Sequence, residues 1–421
     1  MPLPDPGGER RPAWSAERWL ALRQPHPSLD RPAGTAMLTL LKNARLYAPA
    51  PLGLKHLLIA DQRIAAILDP QDSPDIHLPG LSVQDLEGRR VIPGLVDPLV
   101  HMTGGGGEGG FGTRTPELRL EDAVSSGVTT LIGALGTDAL TRTPANLLGK
   151  VRELAAGGLS CYAYTGSYQL PPVTLTGSVA QDILYIPEYI GVGEVAISDH
   201  RGSQPSIQEL ARLASDSRTA GMLAGKSGIV FIHTGDAAGG LEILREVART
   251  TALPIAQFMP THINRTATLF EDGLRFARDG GRIDLTTSTT PELLAEGEVP
   301  ASEAVARALK ARVEPSRVTL SSDANASLPR FDDHGRFIGL KAGRLDSLFE
   351  VVGECVNDHG IALENALGFA SSHSADALGL ARKGRLTVGQ DADLLVLADD
   401  AWAIDEVWAL GRCVHRRDTD R

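Results

Sequence analysis

Hydrophobic and polar residues alternate in two different ways along this chain. From residue 37 to about residue 90, short apolar runs are separated by turns and show little helical periodicity, which predicts β-strands. The C-terminal part, residues 376–421, repeats that style in GRLTVGQDADLLVLADD and IDEVWALGRCVHRR. We therefore predict that the two ends of the chain together form one small β-sandwich domain.

The middle of the chain, residues 91–375, alternates between apolar runs and helix-like stretches. The strand-like runs are, in order, RRVIPGLVDPLVH, GVTTLIGALG, LSCYAYTGSY, YIGVGEVAIS, GIVFIHTG, LPIAQFMPTH, GRIDLTTS and RVTLSSDA. Amphipathic stretches such as SIQELARLASDSRTAGMLAGK and TLFEDGLRFARDGG lie between most of them. This alternation predicts an α/β fold, a (β/α)8 TIM-like barrel. Residues 1–36, rich in proline, arginine and glycine, are predicted to be a disordered N-terminal extension.

Composition excludes several classes of function. The 421 residues carry a formal net charge of −11, which argues against a nucleic-acid partner. No apolar run reaches the roughly 18 residues that a membrane-spanning helix needs, so we expect no membrane partner. The three cysteines, Cys161, Cys355 and Cys413, are odd in number and far apart. That spacing argues against a disulfide framework and favours a reducing, cytoplasmic location.

Polar residues fall where most of the predicted barrel strands end, which is the edge at which such barrels carry their chemistry. His101 ends the first strand, and Glu194 lies in the fourth. The fifth and sixth strands end at His233 and His262, and Asp323 follows the eighth. Imidazole nitrogen and carboxylate oxygen are ligands of catalytic zinc, which keeps one position open for water and lowers the pKa of that water toward about 7. The pattern therefore predicts a divalent-metal site.

A glycine-rich loop, MTGGGGEGG, follows the first strand and surrounds Glu108. Because glycine lacks Cβ, this backbone could approach a small ligand closely, and the Glu108 carboxylate could bind a cation. Arg201 and Arg265 follow the fourth and sixth strands, where their guanidinium groups could pair bidentately with a carboxylate. Without a binding role, the loop would simply be flexible with a solvated glutamate, and the two arginines would be ordinary surface residues.

From about residue 37 to the C-terminus, the chain resembles the amidohydrolase superfamily, and within it the isoaspartyl (β-aspartyl) dipeptidases. The stretches that carry the resemblance are VIPGLVDPLVHMTGGGGEGG, TRTPE, LGTD, YTGSY, TLTGSV, AISDHR, PTHINR, SSDANAS and GQDADLLVL. The resemblance implies a metal-dependent hydrolase that cleaves β-aspartyl dipeptides through a metal-bound hydroxide. It also implies a homo-oligomer.

In two places the chain departs from the metal ligands of this family, which are a His-x-His pair, a carboxylated lysine, two further histidines and an aspartate. The matching residues are His101, His233, His262 and Asp323. Leu99 replaces the first histidine of the pair. Counted back without gaps from AISDHR, Glu194 replaces the lysine. We therefore predict one firmly bound zinc ion at Glu194, His233 and His262, with His101 as a weak ligand or a hydrogen-bond donor.

The resemblance also implies roles for the other residues of the site. Glu108 would hold the free α-ammonium group of the substrate, and Arg201 and Arg265 would hold its α-carboxylate. Further substrate contacts are implied for Gly106, Thr137 and Ser327. Tyr168 would donate its hydroxyl to the developing oxyanion. Asp323 would take the proton of the water and deliver it to the leaving amine.

Two other interpretations compete with this one. The protein could be another amidohydrolase, such as an N-acyl-amino-acid deacylase or a cyclic amide hydrolase. Glu108 and the two arginines argue against a deacylase, because that enzyme has no need to bind a free amine. The protein could also be a non-catalytic relative, which the exchanges at Leu99 and Glu194 motivate. Asp323 and Tyr168 would have little reason to accompany an inactive site.

Overall fold

The structure, a computed structural model, describes residues 38–418 except for residues 73–79, 333, 335 and 399–400. The predicted disordered extension, residues 1–36, lies outside the described residues. The described part begins with strands β1 (Leu38–Tyr47), β2 (Pro51–Ala60), β3 (Arg63–Leu68), β4 (Leu81–Asp85) and β5 (Arg90–Pro93).

Strands and helices then alternate. Their bounds are β6 (Leu95–Val100), α1 (Leu120–Ser125), β7 (Val128–Gly133), α2 (Pro144–Ala156), β8 (Ser160–Thr165), α3 (Val179–Tyr185), β9 (Tyr189–Ile197), α4 (Ile207–Ala224), β10 (Ile229–Thr234), α5 (Glu242–Thr250), β11 (Phe258–Thr261), α6 (Ala267–Arg278), β12 (Ile283–Thr286), α7 (Pro291–Ala295), α8 (Ala301–Lys310) and β13 (Val318–Ser321). The remaining elements are β14 (Ser327–Phe331), β15 (Phe337–Ala342), α9 (Ser347–Asn357), α10 (Leu363–Ala370), α11 (Ser372–Ala377), β16 (Leu394–Leu397), β17 (Ile404–Ala409) and β18 (Arg412–Arg416). Short 3₁₀ turns lie at Pro70–Asp72, Phe111–Thr113, Ile255–Gln257 and Pro315–Arg317. None of the described helices combines the length and the apolar character needed to cross a membrane.

Both ends of the chain contribute to one mixed sheet of eight strands. Its order is β18-β17-β16-β5-β1-β2-β3, with β4 also paired to β1. Strand β1 pairs in parallel with β4 and, further along, with β5, while β16 pairs antiparallel with β5. The buried apolar cluster of this sheet includes Leu41, Leu57, Val91, Leu394 and Trp408. Strands from residues 38–93 and 394–416 therefore share one sheet, while the predicted β-sandwich domain stays a prediction.

Six parallel strands form a second sheet in the order β11-β10-β9-β8-β7-β6, and β12 and β13 form a separate parallel pair. Backbone hydrogen bonds at or just beyond the strand ends connect this part of the chain with both edges of the six-stranded sheet. Ile263 N–H donates to Asp284 O over 3.3 Å, and His101 N–H donates to Ala324 O over 2.8 Å. Each of the eight predicted runs contains one of these parallel strands, so their existence and order are confirmed.

One of those runs divides between the two sheets. The pattern RRVIPGLVDPLVH predicts a single strand, but β5 ends at Pro93 in the mixed sheet and β6 begins at Leu95 in the parallel sheet. Gly94 lies at the junction, where an added Cβ atom would come within 2.3 Å of Thr129 Oγ1. The chain passes so close to β7 that only a glycine fits there.

Leu99 lies in an apolar cluster formed by the parallel strands. It is fully buried, and the same cluster contains Val96, Tyr164, Phe231 and Met259. The rings of Tyr164 and Phe231 stack with their centroids 4.9 Å apart. At the position where the resemblance would place a first histidine ligand, this chain therefore contributes apolar packing.

Asp97, two residues before Leu99, is a fully buried carboxyl group. Its Oδ1 accepts hydrogen bonds from the backbone N–H groups of Leu99 and Ser322, each over 3.1 Å. Its Oδ2 is buried and has no hydrogen-bond partner among the described residues. Burial outweighs the hydrogen bonds and raises the pKa of Asp97 from 3.8 to about 7.

We expect the Asp97→Asn variant to gain stability relative to the parent protein as the pH rises from 5 to 8. Because folding raises the pKa of Asp97, the folded protein holds a proton that the unfolded chain releases, and the parent loses stability as the pH rises through the interval from 3.8 to about 7. The amide cannot ionise, so between pH 5 and about 7 the variant avoids a loss of at most roughly 3 kcal/mol. Thermal denaturation at several pH values measures the difference. Asp122→Asn, at an exposed position, serves as the control. If the stability of Asp97→Asn and that of the parent depend on pH in the same way, this account is wrong.

Candidate active site

The structure brings all the predicted site residues together around one cavity of about 320 Å³. The predicted residues that line the cavity are His101, Gly106, Glu108, Thr137, Tyr168, Arg201, His233, His262, Arg265, Asp323 and Ser327. Glu194, the remaining predicted residue, is fully buried in β9 and contacts His233 and His262. Most of these residues lie at or just beyond the C-terminal ends of the parallel strands, where sequence position predicts them.

Glu194, His233 and His262 form a compact ligand group. Their potential ligand atoms all lie within 4.8 Å of one another, and all three side chains are buried. Glu194 Oε1 is 2.8 Å from His233 Nδ1 and 3.0 Å from His262 Nε2. Glu194 Oε2 is buried without a hydrogen-bond partner among the described residues, and a bound cation would satisfy it. One carboxylate and two imidazoles at this spacing fit a divalent ion such as zinc.

Glu194 and His262 have the protonation states that metal binding requires. Burial opposes ionisation of Glu194, but His233 and His262 outweigh it and hold the pKa of Glu194 well below its usual value. Burial, assisted by His233, lowers the pKa of His262 to about 4. At neutral pH the glutamate is therefore an anion and the His262 imidazole is neutral.

His101 and Asp323 lie beside the ligand group and contact each other. His101 Nε2 is 3.2 Å from Asp323 Oδ1 and 3.7 Å from Glu194 Oε2. Burial would lower the pKa of His101, but Asp323 and Glu194 outweigh it and raise that pKa. Burial would raise the pKa of Asp323, but His101 and His262 lower it, so Asp323 is a carboxylate at neutral pH. That His101 and Asp323 also bind the metal stays a prediction.

The backbone is strained at two of these positions. His262 and Asp323 have φ angles of +60° and +51°, in the left-handed region that residues other than glycine seldom adopt. Such strain is concentrated at functional sites, where the surrounding structure maintains it. Thr286, which was not among the predicted site residues, lies with its Oγ1 2.7 Å from His262 Nδ1 and so fixes the ring with Nε2 toward Glu194.

The glycine-rich loop brings its backbone against Ser327. Gly106 has a φ angle of +73°, and an added Cβ atom there would lie 2.6 Å from Ser327 Cβ. Arg142, also absent from the predicted residues, holds this loop in place. Its guanidinium group donates to the carbonyl oxygens of Thr103, Gly106 and Thr115 over 2.9, 3.2 and 3.2 Å. No sequence motif marks Arg142, because these partners are backbone groups.

Glu108 lies between a hydroxyl group and a guanidinium group. Its Oε1 accepts a hydrogen bond from Thr137 over 2.7 Å and is 3.3 Å from Arg201 Nη1. Burial would raise the pKa of Glu108, but Thr137 and Arg201 outweigh it and lower that pKa. The residues expected to hold the two ends of a zwitterionic ligand are therefore side by side and oppositely charged.

Arg265 and Tyr168 complete the predicted set. Arg265 lines the cavity, and its buried Nε has no hydrogen-bond partner in the described part of the chain, so this N–H still needs an acceptor. Tyr168 OH is 2.7 Å from His233 Nδ1. Burial raises the pKa of Tyr168 well above its usual value, so its hydroxyl keeps a proton that it can share with an oxyanion.

The sequence analysis does not identify every carboxylate of the site, and Glu298 and Asp199 are among those it leaves out. Glu298 lines the cavity, and burial raises its pKa to about 7. Asp199 Oδ2 is 3.0 Å from His233 Nε2. Burial would raise the pKa of Asp199, but hydrogen bonds from His233 and Arg201 hold it well below the usual range. Asp199 lies inside the AISDHR motif, which is the one sequence signal that could have pointed to it.

Comparisons with known proteins agree with this geometry. A family profile described as "Amidohydrolase family" matches residues 205–415. The β-aspartyl dipeptidase of the thermophilic, keratin-degrading Fervidobacterium islandicum AW-1, solved in complex with β-Asp-Leu dipeptide, is 39% identical, with a TM-score of 0.82 over 90% of this chain and 97% of that chain. A second structure of the dipeptidase from that organism is 37% identical, with the same TM-score of 0.82 and the same coverage of 90% and 97%. Dihydropyrimidinase from Brevibacillus agri NCHU1002 shares the fold alone, at 13% identity and a TM-score of 0.62 over 90% of this chain and 95% of that chain. The chain therefore belongs to the amidohydrolase family.

Proposed function

We propose that this protein is a metal-dependent β-aspartyl dipeptidase that uses one zinc ion bound by Glu194, His233 and His262. The observation that carries the proposal is the cavity of about 320 Å³, in which this ligand group meets Glu108 and two arginines. A cavity of this size suits a small ligand. The 39% identical dipeptidase of F. islandicum, solved with β-Asp-Leu, supports the same substrate class.

We also propose that the parallel strands form a complete (β/α)8 barrel, residues 91–375, and that residues 37–90 and 376–421 form a β-sandwich domain. The support for closure is the pair β12–β13, because backbone hydrogen bonds join Asp284 in β12 to Ile263, just after β11, and Ala324, just after β13, to His101, just after β6. Closure would direct the C-terminal ends of all the strands toward one cavity, as barrel enzymes require.

The charges of the cavity complement those of a β-aspartyl dipeptide, which carries one ammonium group and two carboxylates. Glu108 would bind the ammonium group, while Arg201 and Arg265 would bind carboxylate. In the structure Glu108 Oε1 is 3.3 Å from Arg201 Nη1. A zwitterionic ligand can replace that contact with two new ones, whereas a ligand without the ammonium group leaves the Glu108 carboxylate without a cationic partner. Gly106, Thr137 and Ser327 would add polar contacts.

The residues around the ligand group supply the remaining chemistry. Glu194, His233 and His262 would hold a divalent ion, which would supply Lewis-acid chemistry and would lower the pKa of a water molecule. Asp323, a carboxylate at neutral pH and 7% exposed, takes the proton of the attacking water and delivers it to the leaving amine. Tyr168 donates a hydrogen bond to the developing oxyanion. His101, 3.2 Å from Asp323, orients that carboxylate.

A panel of three substrates tests the proposed function. We expect the zinc-loaded protein to hydrolyse β-Asp-Leu and to leave α-Asp-Leu and N-acetyl-aspartate intact. The α-isomer changes the distance from the scissile carbonyl to the charged groups, and N-acetyl-aspartate offers no ammonium group to Glu108. Turnover of N-acetyl-aspartate in place of β-Asp-Leu would identify a deacylase. No turnover of any of the three would indicate a non-catalytic relative.

A cytoplasmic location and a homo-oligomeric assembly stay predictions. All three cysteines are free thiols, and Cys161 and Cys355 are buried. This state agrees with the reducing compartment that their spacing in the sequence favours.

A further inference from the structure

Asp199 lies between the ligand group and the arginine that would bind substrate. It follows β9 and is 5% exposed. Its Oδ2 is 3.0 Å from His233 Nε2 and 2.7 Å from Arg201 Nη2. Its Oδ1 accepts from Arg201 Nε over 2.9 Å and from the Arg201 backbone N–H over 2.8 Å. One carboxylate oxygen therefore contacts both the imidazole and the guanidinium group.

The contact with Asp199 favours one tautomer of His233, because an ionised carboxylate can only accept a hydrogen bond. When Nε2–H donates to Asp199, the imidazole proton is on Nε2 and the lone pair is on Nδ1. Nδ1 is the nitrogen that faces the ligand group, 2.8 Å from Glu194 Oε1. A carboxylate behind a ligating histidine fixes its tautomer and its ring orientation, and increases its basicity.

The same carboxylate sets the position of Arg201. The two-pronged pairing with Asp199 leaves Arg201 Nη1 directed at Glu108, 3.3 Å away. The Arg201 guanidinium also lies 5.4 Å from the centre of the Tyr168 ring. A bidentate pair of this kind has a fixed geometry, so Asp199 determines where the guanidinium group enters the cavity.

We propose that Asp199 is a positioning residue that orients His233 as a metal ligand and Arg201 as a substrate-binding group through one shared carboxylate. The role toward Arg201 rests on the proposed function. The role toward His233 rests only on the ligand group and can be tested without any substrate.

The test measures zinc affinity of the metal-free protein by competition with a chromophoric chelator, and KM for β-Asp-Leu at saturating zinc. We expect Asp199→Asn and Asp199→Ala to weaken zinc binding by about 10- to 100-fold, the usual effect of losing such a partner, with the larger loss for alanine. We expect KM to rise in both variants, because Arg201 loses its orienting partner.

Two matched variants separate positioning from general damage. Asp272 accepts from Arg245 over 2.7 Å and from the Leu241 backbone N–H over 2.9 Å, outside the ligand group. Asp272→Asn should therefore keep the zinc affinity of the parent protein. Arg201→Met leaves the contact between Asp199 and His233 in place, so it should raise KM and keep zinc affinity within about threefold of the parent.

Parental zinc affinity in Asp199→Asn and Asp199→Ala would overturn the inference. A loss of zinc affinity in Arg201→Met equal to that in the Asp199 variants would also overturn it. The effect would then come from collapse of the segment after β9 that carries both residues. If Asp199→Ala does not fold, the isosteric Asp199→Asn still decides. If zinc affinity falls as expected in the Asp199 variants but the parent protein does not hydrolyse β-Asp-Leu, the proposed function fails and the role toward His233 stands. If the parent protein hydrolyses β-Asp-Leu but both Asp199 variants keep its zinc affinity, the proposed function stands and the role toward His233 fails.

Discussion

Glu194→Gln should lose both the zinc ion and the hydrolysis of β-Asp-Leu. The amide cannot offer a negative charge to the cation, and Glu194 Oε1 is the atom that lies within 3.0 Å of both histidine nitrogens. We expect zinc affinity to fall by more than the roughly 100-fold that loss of an outer-shell partner can cause. A Lewis acid worth several kcal/mol corresponds to a rate loss of about 10³-fold or more.

Zinc content after dialysis and a chelator-competition titration measure this effect. Glu298→Gln is the matched control, because it makes the same change of carboxylate to amide at another residue that lines the cavity. The control should keep the zinc affinity of the parent protein. Zinc bound to Glu194→Gln with parental affinity would show that the ligand assignment is wrong.

Asp323→Asn should keep zinc bound and lose most of its turnover. Asp323 lies outside the three-residue ligand group, and its carboxylate is ionised at neutral pH because His101 and His262 outweigh burial. The asparagine can neither take the proton of the water nor deliver it to the leaving amine. We expect kcat for β-Asp-Leu to fall by about 10²- to 10⁴-fold, with little change in KM.

Steady-state kinetics at saturating zinc and a zinc titration separate the two possible roles of Asp323. Asp236→Asn, the same chemical change at another cavity-lining residue, is the control and should keep kcat near the parental value. Unchanged kcat in Asp323→Asn would exclude Asp323 as the base. Loss of zinc from this variant would identify Asp323 as a ligand.

The positions of the site residues could be predicted because they follow strands that the sequence marks clearly. Strand β9, YIGVGEVAI, is buried along its whole length, and it reads as a continuous apolar run around Glu194. His233 and His262 likewise come at the end of, or directly after, short apolar runs. Since parallel strands present their C-terminal ends on one side, residues at these positions meet even though they are far apart in the chain.

The contacts that support these residues could not be predicted, because no local pattern encodes them. Asp199 and His233 are 34 residues apart, and their contact depends on the pairing of β9 with β10. Arg142 binds backbone carbonyl groups, which every residue has. The sequence does not reveal the division between β5 and β6 at Gly94, because apolar residues continue on both sides of it.

Leu99 illustrates both what the sequence reveals and what only the structure reveals. The sequence reveals that a non-ligand stands where the resemblance implies a histidine. Only the structure reveals that its side chain packs in the apolar cluster with Tyr164 and Phe231. This packing agrees with a single metal ion. Leu99 is fully buried among apolar side chains, so the histidine that would help to bind a second ion is missing.

A zinc titration of the metal-free protein tests most directly the claim that one divalent ion, held by Glu194, His233 and His262, enables cleavage of the β-aspartyl bond. Hydrolysis of β-Asp-Leu should be absent without metal, rise in proportion to added zinc, and stop rising at one zinc ion per chain. Full hydrolysis by the metal-free protein, or a rise that continues to two zinc ions per chain, would contradict the claim.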